Sequence, residues 1–201
     1  MSGERFAIGV LGLQGAVREH LKSLEKCGVR GIEVKSTAEL EMVQGLIVPG
    51  GESTAIRRLL DTADMVAPLI RFCQSARPIF GTCAGLILMA KKLTGGESHN
   101  LGLMNIEVAR NSFGRQVDSF ETDLNISGFS EPFPAVFIRA PHIVSAGSGV
   151  EILATYHDRI VMVREKHLLG CSFHPELTGD ERVTGYFVKM VVESLVKSAQ
   201  A

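Results

Sequence analysis

The sequence predicts an α/β fold of three layers, a mostly parallel central sheet with helices on both faces and an antiparallel extension. Three observations carry that reading. Compact apolar runs at 7–11, 46–49 and 78–80 are of the type buried on both faces of a sheet. Segments of helical spacing separate them, and a strand–helix alternation of this kind builds parallel sheets. Glycine-rich turns stand at the ends of the runs, where ligands bind in such folds.

The first strand, residues 7–11, ends in Gly12-Leu13-Gln14-Gly15, and a helix follows from about 16 to 27, closed by Gly28 as its C-terminal cap. Residues 32–34 make a second strand. Ser36-Thr37-Ala38-Glu39 has the spacing of a capping box and opens a short helix before the third strand at 46–49. Pro49-Gly50-Gly51-Glu52-Ser53-Thr54 turns into the next helix. Residues 65–77 supply another, which Pro78 ends as it opens the central strand. The turns 12–15, 50–53 and 81–85 all lie at carboxyl ends of strands and should converge on one crevice.

Beyond Gly95-Gly96 the pattern changes to short strand candidates at 105–110, 117–123, 136–139, 151–156, 160–163 and 168–171. Turns at Gly114, Gly147-Ser148-Gly149 and Asp158-Arg159 join them as an antiparallel extension. The last segment, 181–197, places Val183, Phe187, Met190, Val191 and Leu195 on one face of an amphipathic helix.

A chain of 201 residues with 45% hydrophobic content is expected to form one globular domain, 1–201, with a sizeable core. Its formal net charge of −1, with charges interspersed, gives no field for nucleic acid or an anionic membrane. No stretch is long enough to span a bilayer, and the N-terminus lacks the apolar core of a secretory signal. Cys27, Cys73, Cys83 and Cys171 are widely separated, with no paired histidine spacing, so neither a metal site nor a disulfide framework is indicated. No cofactor is expected, and the setting is a reducing cytoplasm.

Chemistry concentrates at Gly81-Thr82-Cys83-Ala84-Gly85, read as strand, sharp turn and helix. This is the cysteine counterpart of the strained turn that lifts a serine nucleophile above an α/β-hydrolase sheet. Glycine is needed on both sides because strand and helix backbones pass close together. The cysteine gains backbone N–H groups aimed at its target and the positive end of a helix dipole. A buried structural cysteine is the commoner alternative.

A thiol nucleophile needs a base and the base an orienting acceptor. Ser172-Phe173-His174-Pro175-Glu176 offers both, because residues two apart in an extended segment face one way. Glu176 would hold one imidazole nitrogen and leave the other for Cys83. His20, His99, His157 and His167 read as surface residues, and His142, near Arg139, ranks second to His174 as a base. Backbone N–H groups of Ala84 and of the Gly50-Gly51 turn are the expected oxyanion hole. Glu52 would repel a phosphate and suits a cationic amine, with no Walker lysine following. Arg115 and Arg139 sit where a guanidinium fork would hold a carboxylate, although each alone reads as a surface arginine.

Gly-Thr-Cys-Ala-Gly at 81–85, Pro-Gly-Gly-Glu-Ser at 49–53 and His-Pro-Glu at 174–176 resemble the class I, triad-type glutamine amidotransferases. Residues 12–20, 111–116 and 137–141 are similar to the glutaminase subunits of pyridoxal 5′-phosphate synthase, and the resemblance runs from about 8 to 176. It implies a flavodoxin-like amidotransferase fold and glutamine hydrolysis through a triad of Cys83, His174 and Glu176. It further implies that Gly50, Gly51, Glu52, Arg115, Ile138 and Arg139 bind L-glutamine, and that Gly51 and Ala84 frame the oxyanion hole. Gln14 would lie at the contact with a synthase subunit that accepts the ammonia. Two rivals are a cysteine hydrolase or chaperone-like relative and a subunit that only binds glutamine. Relatives of the first kind place histidine directly after the cysteine, where this chain has Ala84; the complete Cys83, His174 and Glu176 set argues against the second.

Overall fold

A computed structural model of the chain describes residues 6–96, 98–110 and 119–200. β1 (Ala7–Leu11) leads to α1 (Val17–Lys26), β2 (Arg30–Val34), α2 (Thr37–Glu41), β3 (Gly45–Val48), α3 (Ser53–Thr62), α4 (Val66–Gln74), β4 (Ile79–Thr82) and α5 (Ala84–Met89). Then come β5 (Ala90–Leu93), β6 (Met104–Ala109), β7 (Ser119–Leu124), β8 (Phe133–Ile138), β9 (His142–Ala146), β10 (Glu151–Tyr156), β11 (Arg159–Glu165) and β12 (Leu168–Cys171). α6 (Arg182–Ser198) closes the chain.

The main sheet runs β2-β1-β3-β4-β12-β11-β9-β6-β5, with β10 added on β11 and β7–β8 forming a separate ribbon. From β2 to β12 every pairing is parallel. From β12 through β11 and β9 to β6 every pairing is antiparallel. β4 and β12 therefore sit side by side where the two halves meet, in the register Gly81↔Gly170 and Thr82↔Cys171.

Alternation along the buried strands sorts side chains into two layers. Ala7, Leu11, Leu46, Val48 and Ile79 pack with Leu40, Ile56, Leu60, Leu69 and Phe72 of α2, α3 and α4. Ile8, Val10, Ile47, Phe80 and Leu169 face the other way, onto Leu24 of α1 and Val183, Phe187 and Met190 of α6. Phe80 and Phe187 meet with ring centroids 5.5 Å apart. Each such fully buried side chain contributes about 1.5–3 kcal/mol relative to exposure, so both faces of the sheet are sealed by apolar contact.

Local signals explain most boundaries. Ser36 Oγ accepts the Glu39 N–H while Glu39 Oε2 accepts the Ser36 hydroxyl and the Lys35 N–H, a variant of the capping box that reaches one residue before the cap. Gly28 ends α1 at φ +71°, with its N–H on Glu25 O. The structure differs from the sequence reading in four places. α4 stops at Gln74 and not at Pro78, because Ala76 already takes a left-handed φ of 59°. The β10–β11 hairpin turns one residue earlier than expected, on His157 and Asp158 with φ of 41° and 58°, the signature of a primed turn. β5 and β9 are additional strands. Ala-Lys-Lys-Leu in β5 lacks β-branched residues and reads as a continuation of the preceding helix. The expected turn at Gly114 lies outside the described residues.

Candidate active site

Cys83 stands between β4 and α5 with φ 47° and ψ −101°, a conformation that L-residues avoid and that costs on the order of 1–3 kcal/mol. Two close approaches hold it there. A Cβ on Gly81 would meet the Gly85 carbonyl at 2.7 Å, and one on Gly85 would stand 2.0 Å from Val48 O. The Cys83 N–H donates to Cys171 O at 2.9 Å, carrying the β4–β12 ladder one residue past the strand. Residues following the two strands thus emerge next to one another.

His174 follows β12 and is pinned by its N–H to Val136 O of β8 at 2.8 Å. Its Nδ1 lies 2.7 Å from Glu176 Oε1, which leaves Nε2 as the nitrogen free to address Cys83. The segment is not extended, as the spacing suggested: Pro175–Leu177 is a 3-10 turn with the Leu177 N–H on His174 O. Proline at the first position favours that turn, and it folds the Glu176 carboxylate back beneath the imidazole. Cys83, His174 and Glu176 are 7%, 7% and 8% exposed. Burial pulls the His174 pKa down, but its bonds to Cys83 and Glu176 and their charges outweigh this and carry it to about 10. For Glu176, burial opposes the charge, and His20 and His174 together hold the carboxyl below its usual range.

The two glycine turns pack back to back beside this group. The Ala16 N–H donates to Gly50 O at 3.1 Å and the Glu52 N–H to Gln14 Oε1 at 2.9 Å. A Cβ on Gly50 would lie 2.4 Å from the His174 ring, so only glycine admits the imidazole there. Glu52 caps α3, accepting the Ala55 N–H and the Thr54 hydroxyl, while its Oε1 pairs with Arg110 Nη2 at 3.1 Å. The Thr54 bond is the main reason that its carboxyl titrates below the usual range.

These parts enclose a cleft of about 470 Å³, lined among others by Gln14, Gly50, Gly51, Glu52, Cys83, Ala84, Ile138, Arg139 and His174. It has room for an amino acid, with thiol and imidazole at one end and the Arg110 and Arg139 cations along its wall. Arg115 lies outside the described residues. His142 begins β9 and does not line the cleft. Among the described residues no three His, Cys, Asp or Glu side chains converge as a metal site requires.

The sequence reading missed two residues. Arg110 lines the cleft, and its signal was the position at the end of an apolar strand. His20, expected at the surface, is fully buried. Its Nε2 lies 3.1 Å from Thr82 Oγ1 and 3.5 Å from Glu176 Oε2. Its spacing from Val17 and Leu24 on one helical face was the available signal.

The model of the SNO glutamine amidotransferase family matches residues 10–193. The chain belongs to that family. It is 59% identical over 184 residues to pyridoxal 5′-phosphate synthase subunit PdxT of Bacillus pumilus (strain SAFR-032), covering 92% of this chain and 94% of the relative. Identity to the PdxT subunit of Geobacillus kaustophilus (strain HTA426) is 56% over 192 residues, 96% and 98% of the two chains. A crystal structure described as a glutamine amidotransferase superposes with a TM-score of 0.88 at 44% identity, covering 92% of this amidotransferase and 98% of that chain. No helix among the described residues is long and apolar enough to cross a membrane.

Proposed function

We propose that the cleft hydrolyses L-glutamine to L-glutamate and ammonia, and that the ammonia passes to a synthase subunit that builds pyridoxal 5′-phosphate. The observation that carries this reading is Cys83 facing an imidazole whose far nitrogen is 2.7 Å from a buried carboxylate. The names of the curated relatives, pyridoxal 5′-phosphate synthase subunits, supply the partner and the end use. The whole chain acts as one cytoplasmic glutaminase domain, without cofactor, metal, nucleic acid or membrane.

Cys83 is the nucleophile, His174 the acid and base, and Glu176 the group that orients the imidazole. His174 carries the proton from the outset, its pKa held at about 10 by Cys83 and Glu176, and Cys83 attacks the side-chain amide carbon as the thiolate. The N–H groups of Gly51 and Ala84 receive the oxyanion. Gly50 O points at Ala16, so in a planar trans peptide the Gly51 N–H points away from α1. Each oxyanion donor contributes about 2.7–4 kcal/mol to such a transition state. His174 then gives its proton to the departing nitrogen, ammonia leaves, and a glutamyl thioester remains. Water, deprotonated by His174, cleaves the thioester and restores the thiolate.

Arg110 and Arg139 suit the substrate carboxylate and Glu52 its ammonium group, with Gly50 and Ile138 completing the pocket. Gln14, bonded to the Glu52 N–H, links the glycine turn to the surface offered to the synthase subunit. Free ammonia in bulk water is protonated and loses its nucleophilicity, so delivery through a docked complex is the economical route.

The test is glutamate release from L-glutamine by the purified chain, with and without the cognate synthase subunit, using Cys83→Ala as the blank. Activity that rises on adding the partner and vanishes in the variant is expected. Turnover in Cys83→Ala, or none in the wild-type complex, overturns the reading.

A further inference from the structure

His20 is the one histidine of this chain with no exposed surface, yet it rides on a helix whose inner face otherwise carries Val17, Leu21 and Leu24. Burying an imidazole costs free energy unless its nitrogens are bonded. Only one is. Nδ1 has no hydrogen-bond partner among the described residues, and neither has Glu176 Oε2. Nε2, by contrast, is directed at both Thr82 Oγ1 and Glu176 Oε2. Thr82 Oγ1 in turn accepts the Gly50 N–H at 3.0 Å. A continuous polar thread therefore runs from Glu176 through His20 and Thr82 to the glycine turn, behind the nucleophile and away from the cleft.

The charge of Glu176 selects the tautomer. A bare Nε2 lone pair 3.5 Å from a buried carboxylate oxygen would be repelled, whereas an Nε2–H is attracted to it and to the Thr82 hydroxyl. The orphaned Nδ1 is then an acceptor. Burial keeps His20 neutral, pulling its pKa down against the attraction of Glu176.

We infer that His20 is a positioning residue of the active site, whose Nε2–H is bonded to Thr82 and attracted to the triad carboxylate 3.5 Å away, so that it couples Glu176 to the Gly50-Gly51 turn. The inference rests on the glutaminase reading and adds a fourth side chain that never touches substrate. Its consequence is mechanical and electrostatic. The acceptor that orients His174 and the turn that receives the oxyanion cannot shift independently. The titratable groups around Glu176 are His20 from α1, His174 beside it and the Cys171 thiol at the end of β12.

The test separates this role from space filling. The complex with the synthase subunit is assayed as wild type, His20→Gln, His20→Leu, Thr82→Ser and Thr82→Val. The glutamine Nε2–H superposes on that of histidine, and leucine fills similar volume without a donor. If His20 positions the site, His20→Leu and Thr82→Val lower kcat by about tenfold to hundredfold, the range of a lost buried hydrogen bond, with KM within about twofold. His20→Gln and Thr82→Ser should lose no more than about threefold, because the donor or hydroxyl remains. The acid limb of the pH profile should move to higher pH in His20→Leu, since Glu176 loses a group that favours its charge. Labelling of Cys83 by a glutamine-like chloroketone should slow in parallel.

Equal activity of His20→Leu and wild type, or an equal loss in His20→Leu and His20→Gln, overturns the inference. Should His20→Leu fail to fold, the Thr82→Val and Thr82→Ser pair decides by the same criterion. A wild-type complex that neither releases glutamate nor labels at Cys83 would instead topple the glutaminase reading itself.

Discussion

Arg110 Nη2 stands 3.1 Å from Glu52 Oε1 at the open edge of the cleft, joining the end of β6 to the cap of α3. Both groups are partly exposed, so the pair adds little stability by itself. It does present a guanidinium beside a carboxylate, the two charges that a free amino acid needs. Arg110→Ala should raise KM for glutamine about tenfold or more, as expected for a lost charge-assisted bond, with a smaller change in kcat. Arg110→Lys should recover only part of the affinity because the fork is gone. Steady-state kinetics at saturating synthase subunit would show it, and an unchanged KM would remove Arg110 from the substrate site.

The strained backbone of Cys83 makes a stability prediction separate from the activity prediction. Cys83→Ala and Cys83→Gly should both abolish glutamate release, and of the two the glycine variant should be more stable to unfolding by about 1 kcal/mol, because both lose the thiol's contacts and only glycine adopts the left-handed φ without penalty. Urea denaturation of the two variants side by side measures the difference. A glycine variant no more stable than the alanine one would mean that the turn is unstrained.

Gly85 and Gly185 should respond in opposite directions to the same substitution. Gly85→Ala drives a methyl group to 2.0 Å from Val48 O, a backbone atom that cannot move aside, and should destabilise by about 3 kcal/mol or prevent folding. Gly185 lies in α6 with open space around it, so Gly185→Ala should stabilise by about 0.5–1 kcal/mol through helix propensity. Thermal unfolding of both variants checks the pair.

The elevated pKa of His174 makes stability depend on pH. The folded protein keeps a proton that the unfolded chain releases above its ordinary value of 6.5. The contribution is full below that value and is lost as the pH climbs toward about 10. Glu176 has the opposite sign, its contribution present above the usual carboxyl pKa and lost as the pH falls through its lowered folded value. The gap in unfolding free energy between wild type and His174→Ala should therefore narrow between about pH 6 and about pH 10. Denaturant titrations at the two pH values measure it, and a constant gap would mean that His174 titrates normally.

Much of the architecture was legible because buried parallel strands are nearly uniform apolar runs, and those at β1, β3 and β4 are interrupted by the turns that form the cleft. The Gly-Thr-Cys-Ala-Gly segment was legible for a related reason: few local structures need two glycines around a cysteine. β5 escaped because two of its four residues are lysines facing solvent. The 3-10 turn at Pro175 escaped because an i, i+2 pair meets in either conformation. His20 was misjudged on residue type, since a histidine in an amphipathic helix is usually at the rim and only its helical phase told otherwise. Arg110 carries a weaker sequence signal than Arg115, because the end of a strand marks a site less clearly than a glycine-flanked turn does.

The pairing of β4 with β12 has a meaning for biosynthesis. Cys83 leaves the ribosome about ninety residues before His174, and the ladder that brings them together needs β12, made long after β4. Until β12 and His174 have been made, the Cys83 thiol has no imidazole beside it. The proposed hydrolytic centre cannot assemble before β12, His174 and Glu176 have been made, so a polypeptide that stops short of them would not waste glutamine.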